Sequence, residues 1–346
     1  MMIWKALAAV GLATALLGAG SDNADLRASL HAAAVAYNAR ILAMAKVVGS
    51  DSALDYLQRL NDDSDLLGSD VVPQGFSQAQ WRDYVRQIAT LDLNLADQLL
   101  SGKYQPMASI RGLGDTFIRS SKDGTMQPVG VYVPPKYVAG HGAPLVVFLH
   151  GHDQSESQLI APGFLASLAD RTGSIVIAPY GRGNYDFSGS TSDIYDAVDA
   201  ANEAFSIDPR KRFLAGYSMG GFTVFKVAPV RPNYWAGVMC VAGSLLGHDS
   251  REIVTMMHGT PFYVLTGSKD ATIPTQYPTA TAQFLLGSGV PVSFYSQTGG
   301  THRLVTLLPI LSQAWDDMHG GVVRTPPPML GGAALPSSPS GVGLKP

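Results

Sequence analysis

Short apolar runs recur through the C-terminal part of the chain, each followed by a segment of helical character. They occupy residues 145–149, 175–178, 213–217, 238–241, 262–266 and 292–295. Runs this short, with no polar residue alternating through them, suit strands buried on both faces of a parallel sheet. Residues 193–205 and 304–319 are the clearest helical stretches among them. Strand–helix alternation of this length implies a three-layer α/β domain with a mostly parallel sheet, and such sheets bind ligands at the carboxyl ends of their strands. Ahead of the runs, residues 115–134 read as a hairpin turning at Asp123-Gly124.

One run leads directly into Gly216-Tyr-Ser218-Met-Gly220-Gly221, a G-x-S-x-G sequence placed between a strand and a helix-capable segment. A chain that turns this sharply strains the serine, and side chains at Gly216 or Gly220 would crowd the turn. The turn pushes the Ser218 hydroxyl out over the end of the sheet, with the Met219 N–H beside it at the start of a helix. A nucleophile with an adjacent backbone donor is half of an acyl-transfer site.

The other half requires a base and an acid that orients it. His302 follows the last run in Gly299-Gly-Thr-His302, and Asp270 follows the run before it in Ser268-Lys-Asp270-Ala-Thr-Ile-Pro274. Both lie just past strand ends, where converging side chains must originate. Neutral His302 would take the Ser218 proton, so turnover should fall on acidification, and ionised Asp270 would hold the imidazole tautomer. Asp249 is the reserve acid, whereas His258 precedes a run and so belongs to the wrong end of the sheet. A second oxyanion donor should come from Gly151-His152-Asp153-Gln154, with the His152 N–H paired to that of Met219. The rival reading takes His150, His152 and Asp153 as metal ligands; adjacent residues that alternate in direction, with no distant cluster to complete them, argue against it. Residues 179–187 border the same mouth. There Tyr185 and Phe187 are candidates to line a pocket, and Arg182 either binds a substrate carboxylate or pins the loop. Trp235 is expected to pack beside its strand.

A net charge of −3 with no basic cluster argues against a nucleic-acid partner. Cys240 is the sole cysteine, which excludes an internal disulfide, and its apolar surroundings suggest a buried hydrophobe. At the N-terminus, Lys5, an apolar stretch over 6–17 and Gly18-Ala-Gly20 resemble an export signal cleaved after Gly20. An uncleaved anchor and a cytosolic apolar N-terminus are the alternatives. Residues 25–46 and a capping box at Ser77-Gln-Ala-Gln80 predict helices, with 60–75 between them as a turn or loop. The resulting division is a signal peptide at 1–20, a helical region at 21–104, the α/β domain at 105–320 and a disordered Gly/Pro/Ser-rich tail at 321–346.

Residues 107–319 resemble the α/β-hydrolase superfamily. They are most similar to its lidless esterases, grouped with feruloyl esterases, polyhydroxybutyrate-depolymerase-like and prolyl-oligopeptidase-like hydrolases. The resemblance rests on Val131-Tyr-Val-Pro-Pro135, Leu149-His-Gly-His-Asp-Gln154, Gly216-Tyr-Ser-Met-Gly-Gly221, Asp270-Ala-Thr-Ile-Pro274 and Gly300-Thr-His302. It implies an oxyanion loop, nucleophile, acid and base at the positions argued above, with no cofactor and no metal. Between Ser218 and Asp270 there is room only for scaffold elements, so no cap domain is expected there. The expectation is an exported (periplasmic or secreted) serine carboxylesterase acting on small or polymer-linked esters, without stable membrane insertion once the signal is removed. A prolyl-oligopeptidase-like peptidase and a non-catalytic binding protein on a hydrolase core are the alternatives. The helical region and the tail lie outside the resemblance.

Overall fold

All the apolar runs become strands of one sheet in the computed structural model, which describes residues 23–73, 75–182, 187, 190–324, 326 and 334–338. The strands are β1 (Gly112–Arg119), β2 (Met126–Val133), β3 (Ala143–Leu149), β4 (Ile175–Pro179), β5 (Ile207–Tyr217), β6 (Gly237–Val241), β7 (Phe262–Gly267) and β8 (Val292–Gln297). Their lateral order is β1-β2-β4-β3-β5-β6-β7-β8. The β1–β2 hairpin is antiparallel, β2 pairs antiparallel with β4, and every later pairing is parallel. The expected export segment lies outside the described residues. Among those residues, no helix is long and apolar enough to cross a membrane.

Seven helices follow the hairpin among the described residues: α5 (Glu156–Ile160), α6 (Gly163–Thr172), α7 (Thr191–Ala204), α8 (Met219–Val227), α9 (Ser250–Met256), α10 (Gln276–Gly287) and α11 (Leu308–Gly320). Side chains alternate across a strand, so each run feeds two cores. Val147, Leu214 and Val264 pack on one face with Ile194, Val198, Val224, Phe225 and Leu285 of α7, α8 and α10. Val146, Ala215 and Leu265 pack on the other with Leu165, Leu168, Leu311 and Trp315 of α6 and α11. Buried Cys240 sits within β6, and loss of solvent pushes its thiol pKa up, consistent with an inert core residue. Only α8, β6, α9, β7 and short 3₁₀ turns separate Ser218 from Asp270, which leaves no cap domain in that interval.

The helical region contains α1 (Asn23–Asn38), α2 (Ile41–Val48), α3 (Ser50–Leu67) and α4 (Gln78–Ser101). Two sequence expectations need correction here. The stretch 25–46 breaks between α1 and α2, where the Arg40 guanidinium donates to the Leu100 carbonyl at 2.6 Å. The segment expected to leave the helix at residue 60 stays helical to Leu67. Asn61-Asp-Asp-Ser-Asp65 has the composition of a loop, but its polar groups mostly face outward while Leu60, Asp63 and Leu67 turn in. The box at Ser77 forms as expected, with Ser77 and Gln80 capping each other's backbone N–H groups.

This bundle packs on the sheet's antiparallel edge, since its core includes Phe117, Met126 and Tyr180. A buried ionic hub joins the two parts. Arg59 of α3 pairs with Asp92 of α4 at 2.5 Å and with Glu156 of α5 at 2.8 Å, and also donates to Ser157 Oγ at 3.0 Å. Burial works against the Arg59 charge, but Asp92 and Glu156 overcome it and hold the guanidinium pKa well above its ordinary value. Part of the tail also departs from the disordered linker expected of it. Leu335 packs against the domain core, and the Pro336 carbonyl accepts from the Gly247 N–H at 2.9 Å.

Candidate active site

At the end of β5 the chain makes the turn that its glycines permit. Ser218 sits at φ 53°, a left-handed conformation uncommon outside glycine, and α8 begins at the next residue. A Cβ at Gly216 would lie 2.1 Å from the Gly220 carbonyl oxygen, and one at Gly220 would lie 2.3 Å from that of Leu149. Neither position can therefore carry a side chain without moving backbone. The Ser218 N–H donates to Val241 O at 2.8 Å and the Gly220 N–H to His150 O at 3.0 Å, tying the turn to β6 and to the end of β3.

Three side chains converge above this turn. Ser218 Oγ lies 2.8 Å from His302 Nε2, and His302 Nδ1 lies 2.8 Å from Asp270 Oδ2. The Asp270 side chain is fully buried, while that of His302 retains 20% exposure. Asp270 Oδ1 accepts from the N–H groups of Thr272 at 2.9 Å and Ile273 at 2.7 Å, which fixes the orientation of the carboxylate. Tyr217 adds a contact that the sequence did not signal, because its hydroxyl donates to the His302 carbonyl at 2.6 Å. The His302 loop is also shaped by close packing, since a Cβ at Gly267 would lie 2.4 Å from Gly300 O. Asp249, the reserve acid, instead pairs with His248 at 3.2 Å, and His258 is exposed just before β7.

The loop after β3 is tied to the first turn of α8 by the Gly220–His150 hydrogen bond, and His152 follows two residues later. Gln154 Oε1 accepts from the Gly151 N–H at 3.1 Å, and Ser155 and Gln158 cap α5 immediately afterwards. The backbone N–H of Met219 opens α8. The rival metal reading of this loop fares poorly. Both His150 ring nitrogens lie 2.8 Å from backbone carbonyls, of Gly151 and Tyr180, so neither is turned toward a shared ion. Among the described residues, no group of three or more His, Cys, Asp or Glu side chains is arranged to hold a metal.

The loop after β4 is a correction. Arg182 is not free for a substrate carboxylate: it donates to Asp193, to Asp123 and, at 2.7 Å, to Ser120 Oγ, pinning the loop to the β1–β2 hairpin and to α7. Phe187 is buried, its ring tilted at 46° against the His150 ring with centroids 4.8 Å apart, rather than lining a pocket. Tyr185 lies outside the described residues. Trp235 is buried beside its strand, as expected, and donates to the Tyr195 hydroxyl at 3.2 Å.

No protein-family model matches the sequence. A bifunctional acetylxylan esterase/xylanase from Neocallimastix patriciarum is 26% identical over 148 residues, spanning 40% of this chain and 22% of that protein. A ferulic acid esterase superposes with a TM-score of 0.53 at 14% identity, over 60% of this chain and 98% of that one. The fold is that of the α/β-hydrolases. A thermostable esterase gives a TM-score of 0.50 at 16% identity, over 61% of this chain and 63% of its own. The chain thus spans under a quarter of the curated relative and under two thirds of this structure. In α/β-hydrolase terms, Ser218 occupies the strand–helix turn of the sheet, and Asp270 and His302 follow its last two strands.

Sequence reasoning missed two features of the surroundings. The Arg59 hub was legible in principle: Ala53, Tyr56, Leu60 and Leu67 form an apolar stripe on α3, and Arg59 interrupts it on the inward side. The second is a cavity of about 650 Å³ between the helical region and the α/β-hydrolase domain.

Proposed function

We propose that the protein is an exported serine carboxylesterase that hydrolyses small or polymer-linked esters through an acyl-enzyme. The observation that carries this reading is the relay Ser218 Oγ–His302 Nε2–Asp270 Oδ2, with 2.8 Å at each link. The acetylxylan esterase/xylanase among the similar proteins supports ester over peptide substrates.

In the proposed reaction, Ser218 Oγ attacks the ester carbonyl carbon while His302 Nε2 takes its proton. The carbonyl oxygen becomes an oxyanion, met by the N–H groups of Met219 and His152. Collapse of the tetrahedral intermediate breaks the bond to the alcohol, which leaves with the proton returned from His302. Water then enters with His302 as base, attacks the acyl-enzyme and releases the acid and free Ser218. Asp270 keeps Nδ1 protonated, so that Nε2 faces the serine as an acceptor, and it stabilises the imidazolium that forms. Each oxyanion donor contributes roughly 3–4 kcal/mol of transition-state stabilisation in sites of this type.

Asp270→Asn tests the relay with little change of shape. The amide no longer fixes the tautomer, and kcat for ethyl acetate in a pH-stat assay should fall by about 10⁴. A fall of less than tenfold would remove Asp270 from the mechanism. The same assay run on an Ala-Pro peptide amide should give no turnover above background; turnover comparable to that of the ester would favour a peptidase.

A further inference from the structure

The cavity of about 650 Å³ noted above borders residues next in sequence to the site residues, and its size suits a small organic group. Its position is set by chain neighbours of the site residues. Tyr217 precedes Ser218, Asp153 and Gln154 follow His152, and Arg303 follows His302, and all four line it. The opposite wall belongs to the helical region. There Phe76, Trp81 and Tyr84 form an aromatic cluster with ring centroids 5.4–5.9 Å apart. The Tyr84 hydroxyl donates to the Gln158 carbonyl at 3.0 Å, fixing that ring against α5. Phe164 and Leu304 extend the apolar lining on the α/β side.

We propose that this cavity binds an aryl ring carried by the ester substrate, and that the N-terminal helical region is therefore a specificity element of the enzyme. The proposal rests on the esterase reading for the position of the scissile bond. A mainly apolar chamber walled by fixed aromatic rings favours a flat apolar group, since rings stack edge-to-face or offset at these distances. The ring can enter from either half of the ester, so the probes must distinguish the acyl side from the alcohol side.

The test is equilibrium binding to full-length Ser218→Ala protein, which separates binding from turnover. Ethyl 3-phenylpropanoate carries a ring on the acyl side, phenethyl acetate carries one on the alcohol side, and ethyl acetate carries none. At least one aryl ester should bind about tenfold or more tighter than ethyl acetate, and Trp81→Ala in that background should remove about tenfold of it. Because Trp81→Ala also loosens the helical bundle, Val305→Trp provides a second variant that fills the cavity from the other wall and should block the same ester. Equal binding of all three esters, or aryl binding undisturbed in a folded Val305→Trp protein, would overturn the proposal. Tight aryl binding in Ser218→Ala combined with an inert wild-type protein would support the cavity and count against the esterase reading alone.

Discussion

Ser218→Ala should lower kcat for a simple ester by about 10⁶-fold while leaving the fold intact. Loss of a serine nucleophile costs about that much where serine and histidine act as a unit, and what remains comes from binding and the oxyanion donors. Ser218 is almost fully buried and held at φ 53°, and its hydroxyl meets His302 Nε2 at 2.8 Å. Removing one oxygen should therefore change stability by no more than about 1 kcal/mol. His302→Ala should cost nearly as much activity, and the double variant little more than either single one, because both changes disable one step. Ester turnover within tenfold of wild type in a clean Ser218→Ala sample would contradict the reading.

The second large effect is on stability and falls far from the reacting atoms. Arg59→Met leaves Asp92 and Glu156, both buried, without the cation that lies between them. Breaking a buried pair in this way typically costs about 3–5 kcal/mol, and a chain of this size should lose roughly 10 °C in Tm. Burial already pushes the Glu156 pKa up against the pull of Arg59, so its carboxyl should take up a proton in the variant. The triple change Arg59→Met, Asp92→Asn, Glu156→Gln should recover most of the loss, because it removes all three buried charges together. A Tm within about 2 °C of wild type for Arg59→Met alone would mean that the hub carries little of the docking. Since α5 follows the His152 loop directly, the single variant should also depress kcat more than its loss of folded protein explains.

The parts of this molecule that could be read from sequence are those in which local chemistry dictates position. Six short apolar runs suited buried strands, and the glycines at 216 and 220 admit no side chain, so the turn at Ser218 follows from its own residues. Asp270 and His302 were legible because each comes directly after a strand of the same sheet. What escaped depends on partners distant in the chain. Arg182 chooses Asp123 and Asp193 over solvent only because the hairpin and α7 meet at that loop. Phe187 turns inward to cover His150, which nothing in its own segment announces. The start of β5 was missed because Asp208 to Arg212 is extended yet charged and partly exposed, a pattern that mimics a loop. The aromatic cavity needs the helical region docked on the domain, and composition does not encode that contact.

Intact-mass analysis after treatment with a small fluorophosphonate, followed by peptide mapping, tests the central claim most directly. An activated serine reacts with such a probe whether or not its natural ester is known. A single adduct on Ser218, absent in His302→Ala, is the predicted result. A folded protein that takes up no adduct, or carries it on another serine, would contradict the assignment of Ser218 as the nucleophile.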